Sequence, residues 1–337
     1  MSYREEKEVS KIYKQRYVEG LEQLIKKRQQ ASAVARNAYF EHCFDAPDRY
    51  RADFRAMLGW PLVGHEENRP PAVTAELLST EEGYCIYRMQ ITILDDLTLT
   101  GLFFKIDGEE KKPLVIVQHG GLGTPELISG LYEDTANYNH MLERTIRQGV
   151  HAFAPQLLLW DDSYAVSFNR QEIDAKLKRV GSSITAVEIY GILRCLDYFE
   201  AQDYVSSLGM LGLSYGGFYT LFTAAIDTRI RSAVSCCFFN TRDQYPWIDW
   251  TWFGAAGTFD DAEVACLVYP RKLYLQIGRQ DGLFDYTYGI ESFEKLKKIC
   301  EKVGTDWVDF TVFDGEHEFP HEDIPIEHMI KDLTATD

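Results

Sequence analysis

Residues 212–217 read Gly-Leu-Ser-Tyr-Gly-Gly, a Gly-x-Ser-x-Gly pentapeptide extended by one glycine. A serine becomes a usable nucleophile when a tight strand-to-helix turn lifts its hydroxyl above a sheet in a strained backbone conformation. Residues two before and two after then crowd the turn, and Gly212 and Gly216 meet that need. The flanks agree, since 208–211 reads as an apolar strand and 218–226 as an apolar helix. A helix starting at the turn aims its positive end at the site, favouring developing negative charge. A plain glycine-rich turn is the competing reading, and it accounts for neither flank.

Ser214 needs a general base, and the base needs an orienting carboxylate. For a serine on this kind of turn, the acid and then the histidine follow along the chain. The apolar run 273–277 ends in Gly-Arg-Gln-Asp, placing Asp281 just past the carboxyl end of a strand. Three of the eight histidines follow it: His317, His321 and His328. His317 comes directly after the next strand, 308–313, and is the expected base. His321, behind Pro320, is the reserve, and His328 falls in a final helix. An oxyanion hole requires two backbone N–H donors. Tyr215, after the nucleophile, should supply one. Gly121 should supply the other, with Leu122 as alternative, from the loop His119-Gly120-Gly121-Leu122-Gly123. His119, ahead of these glycines, suits holding the loop.

These groups need a scaffold. The pattern predicts a long helix over 5–41, with Ile12, Tyr17, Leu21, Leu24 and Ile25 in an apolar stripe, and a second over 47–58. Strands 84–94 and 97–105 then flank a turn at Asp95-Asp96. Apolar runs at 114–118, 149–155, 210–211, 233–239, 272–277 and 307–313 alternate with helices at 182–199, 215–226 and 289–303. Strands alternating with helices imply right-handed crossovers and a mostly parallel central sheet flanked by helices. The expected division is a helical N-terminal extension, 1–74, and an α/β catalytic domain, 75–337. The extension either caps the body or forms a homodimer contact.

Lys and Arg number 35 against 52 Asp and Glu, a net charge of −17 that disfavours nucleic acid as a partner. No run of about 18 apolar residues suggests a membrane span. The charged start lacks the apolar core of a secretory signal. Seven scattered cysteines without a CxxC pair fit reduced thiols and a cytoplasmic location. No His/Cys/Asp cluster has metal-ligand spacing, so neither metal nor other cofactor is expected.

The His119-Gly120-Gly121 loop, the Gly212-x-Ser214-x-Gly216-Gly217 turn, Gly278-x-x-Asp281 and Gly315-x-His317 together resemble the α/β-hydrolase superfamily from about residue 75 onward. Within it the chain is similar to the dienelactone-hydrolase and acetyl xylan esterase-like branch. The dienelactone hydrolases proper use cysteine where this chain has Ser214. The Ser214-Tyr215-Gly216-Gly217 wording is also similar to the prolyl-oligopeptidase catalytic domain, but about seventy helical residues cannot supply that family's β-propeller. The resemblance implies hydrolysis of a carboxylic ester in a small molecule, with an O-acetyl group on a small carbohydrate as candidate. A peptidase or amidase, and a non-catalytic binding protein on the same fold, are the alternatives. Two aromatic segments after strand ends could wall the pocket. One contributes Trp160, and the other, 245–253, contributes Trp250 and Trp252 unless it is a core patch.

Overall fold

The computed structural model describes residues 2–65, 69–95, 97–132, 134–159 and 168–335. Two helices come first, α1 (Lys7–Phe40) and α2 (Pro47–Leu58). Three strands follow: β1 (Val73–Glu81), β2 (Tyr84–Leu94) and β3 (Leu97–Ile106). The chain continues through β4 (Lys112–Gln118), α3 (Pro125–Ile128), α4 (Met141–Ile146), β5 (His151–Pro155), α5 (Arg170–Arg179) and α6 (Ile184–Glu200). Next come β6 (Val205–Leu213), α7 (Tyr215–Ile226), β7 (Ile230–Cys236), α8 (Asp261–Cys266) and β8 (Lys272–Gly278). Helix α9 (Tyr286–Ile299), β9 (Val308–Phe313) and α10 (Ile324–Thr334) complete it.

The nine strands form one sheet in the order β1-β2-β3-β5-β4-β6-β7-β8-β9. Pairs β1–β2, β2–β3 and β3–β5 are antiparallel, and every pairing from β5 to β9 is parallel. The parallel part reads as unbroken apolar runs because both faces are covered. Buried side chains of α2, α6, α7, α8 and α9 form a core on one face, and those of α3, α4 and α10 form a second. Strand order reverses between β4 and β6, where Gln118 pairs with Gly212. The crevice above such a switch point is where α/β sheets collect ligands.

The two N-terminal helices differ. Tyr50, Phe54 and Leu58 of α2 enter the main core, and its N-terminal Pro47 fits a first helical turn. Only Arg36 and Phe40 of α1 are buried. The residues of its expected stripe, Ile12, Tyr17, Leu21, Leu24 and Ile25, are exposed. Among the described residues, no helix is long and apolar enough to cross a membrane. All seven cysteines are free thiols, and six are buried.

Candidate active site

Ser214 sits between β6 and α7 with φ 60° and ψ −120°, a conformation few non-glycine residues adopt. The turn is held by its own backbone: Ser214 N–H donates to Cys236 O at 2.8 Å, and Phe218 N–H donates to Ser214 O at 2.9 Å. The glycines are required sterically. A Cβ on Gly212 would lie 2.4 Å from the Gly216 backbone, and one on Gly216 would lie 2.1 Å from Gln118 O. All twelve residues of α7 are buried.

The loop after β4 lies next to this turn because β4 and β6 are neighbours. His119 Nδ1 is 2.9 Å from Gly120 O, and Leu157 N–H donates to His119 Nε2 at 3.2 Å. That pattern fixes a neutral tautomer in a structural role. Gly120 N–H donates to the Tyr138 hydroxyl at 2.9 Å, so it is engaged within the wall. Gly121 and Tyr215 both line the same cavity as Ser214. The first N–H groups of a helix lack intrahelical acceptors, which suits Tyr215 to an oxyanion.

Asp281 and His317 come from adjacent strands, β8 and β9. Their loops approach so closely that a Cβ on Gly278 would lie 2.1 Å from Glu316 O. Gln280 N–H donates to Gly315 O at 2.8 Å across the gap. The Asp281 side chain is wholly buried, and its Oδ1 accepts N–H bonds from Leu283 at 2.8 Å and Phe284 at 2.9 Å. Its Oδ2 lies 2.9 Å from His317 Nδ1. This leaves Nε2 as the nitrogen available for chemistry. The His317 carbonyl accepts from Asn137 Nδ2 at 2.8 Å, and Phe319 N–H donates to Asn137 O at 2.8 Å. The histidine loop is thus held at the cavity edge from outside its own strand.

Ser214, His317, Gly121 and Tyr215 share a cavity of about 510 Å³, with Asn137, Tyr138, Gln171, Trp247 and Leu283 in its wall. None of its described lining residues is charged. A larger cavity, about 770 Å³, includes neither Ser214 nor His317, and its wall reaches Leu159 and Phe168, on either side of 160–167. His321 is turned away from the cavity and pairs with Glu318 Oε2 at 3.4 Å on the surface. Donor atoms of Cys237, Asp281 and His317 lie within 4.8 Å of one another, a group of metal-binding type. The His317 and Asp281 atoms already share a hydrogen bond, and Cys237 Sγ is 3.4 Å from Glu318 O.

The expectation for the pocket tryptophans is corrected. Trp250 and Trp252 do not line the serine's cavity; both are buried in the main core. A single helical turn, Ile248–Trp250, rolls the segment inward. The Trp250 ring then packs 4.7 Å from Tyr215 and 5.2 Å from Phe218. Trp247, in the same segment, is the aromatic residue that reaches the cavity. Trp160 lies outside the described residues. Asn137, Tyr138 and Gln171 were not anticipated. Asn137 and Tyr138 come from one short turn, 136–138; Asn137 meets His317, 180 residues away in sequence, and Tyr138 meets Gly120. No local periodicity signals such a contact.

Beneath Tyr215 lies a buried ionic network. Arg170 Nε donates to Asp249 Oδ2 at 2.8 Å and its Nη1 to Glu188 Oε2 at 2.9 Å. The Tyr215 hydroxyl donates to the same Asp249 oxygen at 2.9 Å. Burial opposes charge on Arg170, but Glu188, Tyr219 and Asp249 outweigh it and hold its pKa well above the usual range. Burial pushes the Glu188 carboxyl up, and Arg170 counters this in part.

No family model matches the chain. A curated protein of Bacillus subtilis (strain 168) named "Putative hydrolase YtaP" is 27% identical over 277 residues, covering 73% of this chain and 86% of that protein. Among solved structures, acetyl xylan esterase 1 from Thermoanaerobacterium sp. JW/SL YS485 superposes with a TM-score of 0.60 at 15% identity, covering 86% of this chain and 94% of that one. A glucuronoyl esterase from Solibacter usitatus gives a TM-score of 0.63 at 13% identity, covering 85% and 92%. At these identities the likeness is one of fold, and the fold is that of the α/β hydrolases.

Proposed function

We propose that this chain is a serine hydrolase of carboxylic esters working through an acyl-enzyme, with Ser214, His317 and Asp281 as its triad. The observation that carries the reading is the 2.9 Å His317–Asp281 bond at the mouth of a cavity that also holds the strained Ser214. Asp281 fixes the imidazole with its proton on Nδ1, and Nε2 takes the Ser214 proton as the oxygen attacks the ester carbonyl. The Gly121 and Tyr215 amides receive the negative charge of the tetrahedral intermediate. His317 then returns the proton to the departing alcohol, and water, deprotonated in the same way, releases the acid.

The uncharged described lining favours a neutral ester, and Trp247 offers a face for a sugar ring or an acyl group. Small carbohydrates bearing O-acetyl groups fit that description, and the structural likeness to an acetyl xylan esterase supports it. The seven free thiols support a reducing, cytoplasmic setting.

Reaction with a fluorophosphonate probe, followed by hydrolysis of p-nitrophenyl acetate and matched amides, tests the assignment. Wild-type protein should label and turn over ester in preference to amide, and folded Ser214→Ala should do neither. Labelling that persists in Ser214→Ala would reject the nucleophile, and preferential amide cleavage would make the protein an amidase.

A further inference from the structure

Helix α1 has 34 residues, about 51 Å at 1.5 Å per residue, and its only buried residues, Arg36 and Phe40, lie near its C-terminal end. Upstream, Tyr13, Tyr17, Val18, Leu21, Leu24 and Ile25 are all exposed, from 40% for Leu21 to 70% for Tyr17. At 100° per residue, the other five fall within about 80° of Leu21 on a face that also carries Lys14 and Arg28, while Ile12, expected in the stripe, falls on the opposite side. In proteins most of a helix's stability comes from packing its amphipathic face, and the upstream part of this arm packs none. Among the described residues nothing covers this face.

We propose that a second copy of this chain covers it, the two α1 helices lying antiparallel across a two-fold axis at Leu21. The pattern is self-complementary about that residue. The axis sets Tyr17 against Ile25 and Val18 against Leu24, and it sets Leu21 against itself, as an isologous contact requires. Burying the six stripe residues removes roughly 600 Å² per copy, close to the ~800 Å² per partner of a standard interface.

The same axis sets Lys14 of each arm against Arg28 of the other, a like-charge pair at either end of the apolar patch. Residues 7–28 hold seven Lys or Arg and three Glu, a net +4 in a chain of net −17, which leaves the remainder at −21. The two-fold sets residue 7 of one helix against residue 35 of the other, beside the point where that helix joins its body. Lys7 of each arm is thereby brought near the end of the other arm's helix, while Lys11 stands opposite residue 31 within it. The match is one of apolar shape, made between two arms that each carry +4.

Light scattering on the full-length chain, at roughly 1–100 µM to span ordinary dimer affinities, is the test. The expected mass is twice the 38.8 kDa of one chain. The double variant Leu21→Asp/Leu24→Asp should return to one-chain mass with an unchanged melting temperature. Under mild oxidation Leu21→Cys should cross-link to itself. A one-chain mass for the wild type throughout, a dimer surviving the double variant, or a dimer in which Leu21→Cys does not cross-link would overturn the proposal. Ester hydrolysis enters none of these readouts.

Discussion

Helices α7 and α1 both read as helices from sequence, yet their surroundings are opposite. Every residue of α7 is buried, and it is pinned by the glycine contacts at its start and by the Arg170 network under Tyr215 and Tyr219. Helix α1 buries two residues of 34. The difference teaches that an apolar stripe reports which face needs covering and is silent on what covers it. Around α7 the sheet and helices α2, α6 and α8 supply the cover. Along the upstream part of α1 the described residues supply none.

Substitutions should separate the two regions sharply. The largest effect is expected for Asp281→Asn, which keeps the shape but removes the acceptor that sets the imidazole tautomer. The rate constant for ester turnover should fall by about 10³–10⁴-fold with little change in KM. Steady-state kinetics on p-nitrophenyl acetate would show it, and a loss under tenfold would mean that Asp281 does not orient the base. Arg170→Met comes next. It leaves Glu188 and Asp249 buried without their counter-charge, at a cost of about 3–5 kcal/mol in unfolding free energy. Urea denaturation measures that directly, and a neutral result would show that the network contributes nothing to holding α7. The smallest effect belongs to Val34→Lys on α1. Val34 is exposed and outside the proposed seam, so stability should shift by no more than about 0.5 kcal/mol. A larger loss would mean that this part of α1 is covered after all.

The elbow was legible because its constraint is local. A Cβ on Gly212 would meet the Gly216 backbone four residues on, and the pentapeptide displays that solution, whereas the demand on Gly216 comes from Gln118 of β4. Asp281 and His317 were findable as the groups that follow the next strands, which chain order restricts to a few candidates. Their mutual 2.9 Å distance was not readable, since it depends on β8 and β9 lying side by side. The tryptophans show the limit of composition. Trp247 and Trp250 are three residues apart in one aromatic segment, and a single helical turn puts one in the cavity wall and the other in the core. Asn137 and Tyr138 had no signal at all, because their significance is a contact with loops distant in sequence.

By itself, then, the sequence determined the strand–helix alternation and the strained turn at Ser214. Each follows from steric or periodic rules acting over a few residues. Only the tertiary structure decided which aromatic ring meets the cavity, how Asn137 fastens the His317 loop, and that the α1 stripe finds no partner among the described residues. Those outcomes depend on where separate elements pack, and packing is settled by the shape of the whole core rather than by any one stretch of it.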